Sequence, residues 1–351
     1  MSEFTCRERV VLAYDKQYAD RVPTDIQGLI VAIHRLGFSG REMGTDAQKL
    51  ATVLIESWEM VHSDVVSMGV LSLPMAQAVG NECDFDELGM LYAKSRILED
   101  KSNLAKITLP DPKKDDPLPT LLEACERVGS ALAKEAGVRG VVSLPWTVAM
   151  QMRGMEQLIY DTADDPDFVH AVMRFCTDYT KVLGTAVMEA IGEDVVGLYT
   201  TDPSAGCSVI SPQMYRDFVK PYHEEVVDYF KARDTLITFH ICGHLDPIME
   251  DLVSTGLDGI SIDEKSSMKK MFETSRVKIV VIGNISPLLF ANGTKEEIEA
   301  AVRECMQTAA GERGYILASG CGIPPLSPLE NLEYFMEAAE KYGRYDGSES
   351  S

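Results

Sequence analysis

Hydrophobic and polar positions along this chain switch between two periods. From Val138 onward, short apolar runs rich in β-branched residues alternate with longer stretches whose apolar positions recur at helical spacing. The runs Val138–Leu144, Asp194–Thr200, Leu236–Cys242, Leu257–Ile262, Lys278–Ile282 and Tyr315–Ser319 read as strands. Asp64–Met68 is a further strand upstream, and an eighth is expected between residues 69 and 105. Helices are predicted over Leu121–Ala136, Met150–Thr162, Asp165–Ile191, Ser211–Ala232, Met268–Thr274, Thr294–Ala309 and Pro328–Tyr342. Asp246-Pro247 opens another. Thr294 and Glu297 have the spacing of a capping box, and Pro212 suits a first helical position, where its missing N–H costs nothing. Leu109–Pro119, with prolines and charges interleaved, is a surface loop.

Strands that alternate with helices over such a length imply a parallel sheet. The economical arrangement is an α/β (β/α)₈ TIM barrel with an N-terminal helical extension. Residues 1–62 form that extension, with a helix over 5–17 and a mostly helical stretch from 27 to 62. Residues 63–343 form the catalytic barrel, and 344–351 a disordered tail. A doubly wound open sheet is the alternative, but no GxGxxG or P-loop pattern follows any strand. In a barrel the chemistry gathers at the C-terminal strand ends. Asp202, His240, Cys242, Asp263, Glu264, Asn284 and Cys321 all fall there.

Composition changes the picture in two ways. The net charge is 33 − 55 = −22, which argues against nucleic acid or an anionic membrane as partner, since both need basic surface. No apolar run is long enough to span a bilayer, and the N-terminal residues carry acids without a hydrophobic signal region. The eight cysteines are scattered with no CxxC pair, so a disulfide framework is not expected. A cytoplasmic enzyme is the expectation. Large barrels often pair, so a homodimer is a further one.

Two of those cysteines carry candidate chemistry. His240 and Cys242 are two apart at the end of a strand, so they point to one face, roughly 6.6 Å apart along the chain. Cys321 ends a second apolar run and is flanked by glycines that let the backbone turn sharply. A His/Cys/Cys set with one open position suits catalytic zinc. His244 keeps the same parity as His240 and Cys242 and is a rival ligand. Packing of small buried cysteines is the plainer reading of each residue alone.

The segments Leu144–Gly154, Asp202–Gly206, Gly283–Pro287 and Gly320–Asn331 resemble the uroporphyrinogen decarboxylase superfamily. His240-x-Cys242 with a distant Cys321 is similar to its corrinoid-dependent zinc methyltransferase branch, which includes coenzyme M methyltransferases and the methyltransferases of O-demethylase systems. The resemblance implies methyl transfer between the cobalt of a corrinoid (cobalamin) and a small substrate at Zn²⁺, either a thiol or a methyl ether. It implies His240, Cys242 and Cys321 as zinc ligands. Asp202 and Asp263 are then candidate catalytic carboxylates. Trp146, Tyr199 and Asn284 are candidates for the cofactor-binding wall, and Asp263 and Glu264 could partner His240. Glu264 could also fill the open zinc position. No Asp-x-His-x-x-Gly cobalamin pattern occurs, so the corrinoid is expected on a separate corrinoid protein. The decarboxylase itself is the alternative activity. Its arginine-rich segment is replaced here by Arg21-Val-Pro-Thr-Asp-Ile-Gln-Gly28, where Asp25 would repel a polyanion. A non-catalytic binder on the same fold is the third reading.

Overall fold

Eight parallel strands run around the centre of the computed structural model, which describes residues 4–86, 90–276, 278–309 and 312–345. They are β1 (Thr24–Asp25), β2 (Val65–Val70), β3 (Gly137–Ser143), β4 (Leu198–Thr201), β5 (Ile237–Ile241), β6 (Gly259–Ile262), β7 (Val280–Ile285) and β8 (Tyr315–Ser319). Each strand from β2 to β8 pairs with its successor, and β8 returns to β1 through Thr24 opposite Leu317. The ring closes where the Asp64 N–H donates to the Thr24 carbonyl at 3.0 Å. β3, β4, β5, β6 and β8 are buried at every position, as parallel strands covered on both faces must be. That is why they read as continuous apolar runs rather than alternating ones.

Two cores follow from this arrangement. A large one lies between the strands and the surrounding helices, and includes Trp146, Tyr179, Phe230 and Phe335. A small one fills the bottom of the barrel, where Val10 and Ala13 of the helix Cys6–Tyr14 meet Val65, Val280, Ile282 and Ile316. The N-terminal helix thus plugs the closed end of the barrel and leaves the C-terminal strand ends open. Among the described residues no helix is long and apolar enough to cross a membrane.

Two expectations need correction. The eighth strand is not between residues 69 and 105. That stretch holds the helix Ser72–Val79, an antiparallel hairpin of Glu82–Phe85 with Leu91–Ser95, and 3₁₀ turns. The strand is Thr24–Asp25, inside the expected extension, so residues 1–62 also contribute to the barrel wall. The chain also remains ordered past residue 343. Arg344 bridges to Arg21, and the Tyr345 N–H donates to the Asp20 carbonyl at 3.4 Å. Residues 346–351 of the expected tail lie outside the described residues.

A strand of two residues is held by more than its ladder. The fully buried Asp64 carboxylate accepts from the Thr24 N–H at 2.8 Å, the Thr24 hydroxyl at 2.9 Å, Arg9 at 3.0 Å and Arg21 at 2.6 Å. Removing one partner of a buried charge cluster strands the others. Asp64→Ala is therefore expected to cost about 3–5 kcal/mol in chemical denaturation. Arg35→Ala, which breaks the exposed Arg35–Glu56 pair, should change the same measurement little.

Candidate metal centre

β5 and β8 deliver the three expected ligands to one point. His240 Nε2 lies 3.2 Å from Cys242 Sγ, and Cys242 Sγ lies 3.4 Å from Cys321 Sγ. One donor atom from each residue falls within 4.8 Å of the others, and this is the only such triad found among the described residues. His240 is buried, while both cysteines are half-buried and open toward the mouth. The parity argument explains the first pair. Cys242 follows directly on β5, so its side chain shares the face of His240. Gly243 then turns the chain at φ +80°, and a Cβ there would come within 2.5 Å of Ser208 Oγ. His244 follows that turn outward, with its Nδ1 3.4 Å from the Lys265 carbonyl, and stays out of the cluster.

The two sulfurs split electrically. The Cys321 thiol is drawn down to about 4, chiefly by its hydrogen bond with Cys242 and also by His240, against the opposing effect of burial. The Cys242 thiol is pushed up by that same bond and by burial. The pair therefore shares one proton near neutral pH. One imidazole and two sulfurs form a donor set that suits zinc.

The residues that touch the His240 ring carry no motif in the sequence. Ser261 stands opposite His240 across the β5–β6 ladder, with Oγ 3.1 Å from Nδ1. Tyr199 stacks on the imidazole with ring centres 6.0 Å apart and planes at 16°. The Arg139 guanidinium lies 3.7 Å from the Tyr199 ring centre and bonds Asp25 at 2.6 Å. Asp25 is thus buried and paired, so it presents no free charge at the mouth. Tyr199 supports the histidine from inside the wall, and its hydroxyl donates to Gln27 Oε1 at 2.7 Å.

The carboxylates take positions that the sequence did not specify. Asp202 is fully buried, and both of its carboxylate oxygens have partners. Oδ1 accepts from the Thr147 N–H at 2.7 Å and its hydroxyl at 2.5 Å, and Oδ2 lies 2.9 Å from His223 Nε2. The Asp202 N–H donates to the His240 carbonyl at 2.8 Å. Asp202 therefore pins strand ends. Asp263 accepts from the Gly243 N–H at 3.0 Å and the Lys265 N–H at 2.9 Å, which fixes the turn after Cys242. Burial raises its pKa, but those two donors prevail and hold it below the ordinary value. Glu264 beside it reaches the surface, and partial burial of its carboxyl together with its hydrogen bond to Asp263 pushes its pKa up.

Trp146 and Asn284 also differ from expectation. Trp146 is 1% exposed, in the main core rather than on the mouth. β7 extends to Ile285, so Asn284 is a strand residue. Its side-chain amide donates to the Asp263 and Ser266 carbonyls at 3.2 and 3.0 Å, bracing the loop after β6.

Comparisons with known proteins bear on the family and the fold. Over 351 residues the chain is 26% identical to the methylcobamide:CoM methyltransferase MtbA of Methanosarcina mazei, covering 97% of this chain and 99% of the relative. It is 24% identical over 350 residues to the methylcobamide:CoM methyltransferase MtaA of Methanosarcina barkeri, with the same coverage. A uroporphyrinogen decarboxylase of Synechococcus is 32% identical over 233 residues, which is 64% of this chain and 63% of that one. A solved methyltransferase from Methanosarcina mazei superposes with a TM-score of 0.86 at 23% identity, over 97% of this chain and 99% of that one, so the fold is shared. The family model for uroporphyrinogen decarboxylase (URO-D) matches residues 5–342, and the chain belongs to that family.

Proposed function

We propose that this protein is a zinc-dependent methyltransferase. It moves a methyl group between the cobalt of a corrinoid on a separate protein and the sulfur of a small thiol. The observation that carries this reading is the convergence of His240 Nε2, Cys242 Sγ and Cys321 Sγ within 4.8 Å at the open end of the barrel. The near-full-length relatives named as methylcobamide:CoM methyltransferases support the corrinoid and the thiol class. When bound, zinc supplies a Lewis acid that favours the thiolate form of a thiol at neutral pH.

The chain's own residues do the rest. His240 would bind through Nε2, with Nδ1 engaged by Ser261. The two cysteine thiolates would offset the charge of the dication, which leaves a third sulfur nucleophilic. Asp263 holds the peptide after Cys242 in place. Glu264 is close enough to raise the Cys242 thiol. With its own carboxyl pushed up, it is suited to take the proton of an incoming thiol at a carboxylate oxygen. The decarboxylase alternative finds less support. Arg21 is spent on Asp64 and Arg139 on Asp25, so neither guanidinium is free to meet a polycarboxylate at the mouth.

Two outcomes are expected. Purified protein should contain about one zinc per chain and demethylate methylcobalamin in the presence of coenzyme M. Cys321→Ala should lose the metal and slow transfer by more than about 100-fold. Zinc-replete wild type that leaves the methyl–cobalt absorbance unchanged with every thiol would overturn the reading. The shared proton gives the second outcome. Zinc needs both sulfurs as thiolates, and Cys321 is already ionised well below neutrality, so uptake near pH 8 should release about one proton per ion from Cys242. Lower pH restores that proton and weakens binding. Calorimetry in buffers of different ionisation enthalpy reads the release directly. An affinity that does not change between about pH 6 and 8 would contradict it.

A further inference from the structure

The residue that joins the two halves of the metal centre lies on neither ligand-bearing strand. Gln27 follows β1 and is buried. Its backbone N–H donates to Ser319 Oγ at 3.1 Å, and its backbone carbonyl accepts from the Ile323 N–H at 2.9 Å. Ser319 and Ile323 stand two residues to either side of Cys321. The side-chain Nε2 donates to the Ser319 carbonyl at 2.7 Å and to Ser261 Oγ at 3.0 Å. Ser261 Oγ in turn lies 3.1 Å from His240 Nδ1. A single residue therefore holds the Cys321 loop with its peptide and reaches His240 through one hydroxyl.

The direction of these bonds follows from chemistry. A carbonyl oxygen only accepts, so the Ser319 carbonyl requires the nitrogen of the Gln27 amide on its side. The amide oxygen then faces Tyr199, whose hydroxyl donates to it. Both amide hydrogens are spent, one of them on Ser261 Oγ. The Gln27 amide thus fills one lone pair of Ser261 Oγ and leaves the other for His240 Nδ1. When Nε2 holds zinc, Nδ1 carries the ring hydrogen, and Ser261 Oγ is its acceptor.

We propose that Gln27 is the positioning residue of the metal centre, setting the tautomer of His240 through Ser261 and the approach of Cys321 through Ser319 and Ile323. This rests on the zinc reading of the same site. Gln27 touches neither metal nor substrate, so its effect is on zinc affinity and imidazole geometry.

The test measures zinc affinity by competition with a fluorescent chelator, and the His240 tautomer by long-range ¹⁵N–¹H spectra of the metal-free protein. Gln27→Met keeps the side-chain length and removes the amide. It should weaken zinc binding by about 10–100-fold and blur the single tautomer. Ser261→Ala should do the same, and Ser261→Thr, which restores the oxygen, should recover most of the affinity. The serine pair decides the matter if Gln27→Met does not fold. The proposal is overturned if Gln27→Met binds zinc as tightly as wild type, or if Ser261→Ala and Ser261→Thr weaken it equally. Wild type that takes up no zinc removes the function proposed above as well. Wild type that binds zinc alongside an unaffected Gln27→Met removes only the role of Gln27.

Discussion

The buried carboxylate of Asp64 closes the barrel where its wall is thinnest. β1 offers only two residues to the ladder, too few to hold a strand by backbone bonds alone. Asp64 adds acceptors for the Thr24 N–H and hydroxyl and is itself held by Arg9 and Arg21. Such a cluster is expensive to desolvate and is tolerable only when every member is satisfied. Here the Asp64 carbonyl also accepts from the Gly137 N–H, which ties the seam to β3. Closure matters to the site because Gln27 is two residues beyond β1. If β1 came away from the ring, the residue that spans His240 and Cys321 would lose its place.

Much of the fold and the convergence of His240, Cys242 and Cys321 were legible in the sequence, for physical reasons that can be named. Buried parallel strands read as apolar runs, and their C-terminal ends gather the chemistry, so Cys242 and Cys321 could be assigned to one edge before the fold was known. The two-residue parity of a strand put His240 and Cys242 on one face. β1 was missed because two residues, Thr24 and Asp25, carry no periodicity. Polar residues at strand ends were located correctly, but their side chains could not be oriented. Asp202 turns to Thr147 and His223, and Asp263 to backbone N–H groups. A tryptophan after a strand end is apolar bulk first, and Trp146 went to the core. Gln27 has an uncharged amide with no motif around it, and only the register of β1 against β8 shows what it reaches.

Charge is distributed with the same economy. The chain carries a net −22, yet the carboxylates nearest the site are committed to partners. Asp25 faces Arg139, Asp202 faces His223, and Asp263 faces two peptide N–H groups. Glu264 stands at the surface, and partial burial and its interaction with Asp263 raise its pKa. The interior is thus organised around a set of soft donors whose own negative charge would be met by a cation. Direct evidence on that cation is the zinc-edge X-ray absorption spectrum of the protein as purified. The account predicts a shell with two sulfurs at about 2.3 Å and a nitrogen at about 2.0 Å. A spectrum without sulfur neighbours, or protein that binds no zinc, would contradict it.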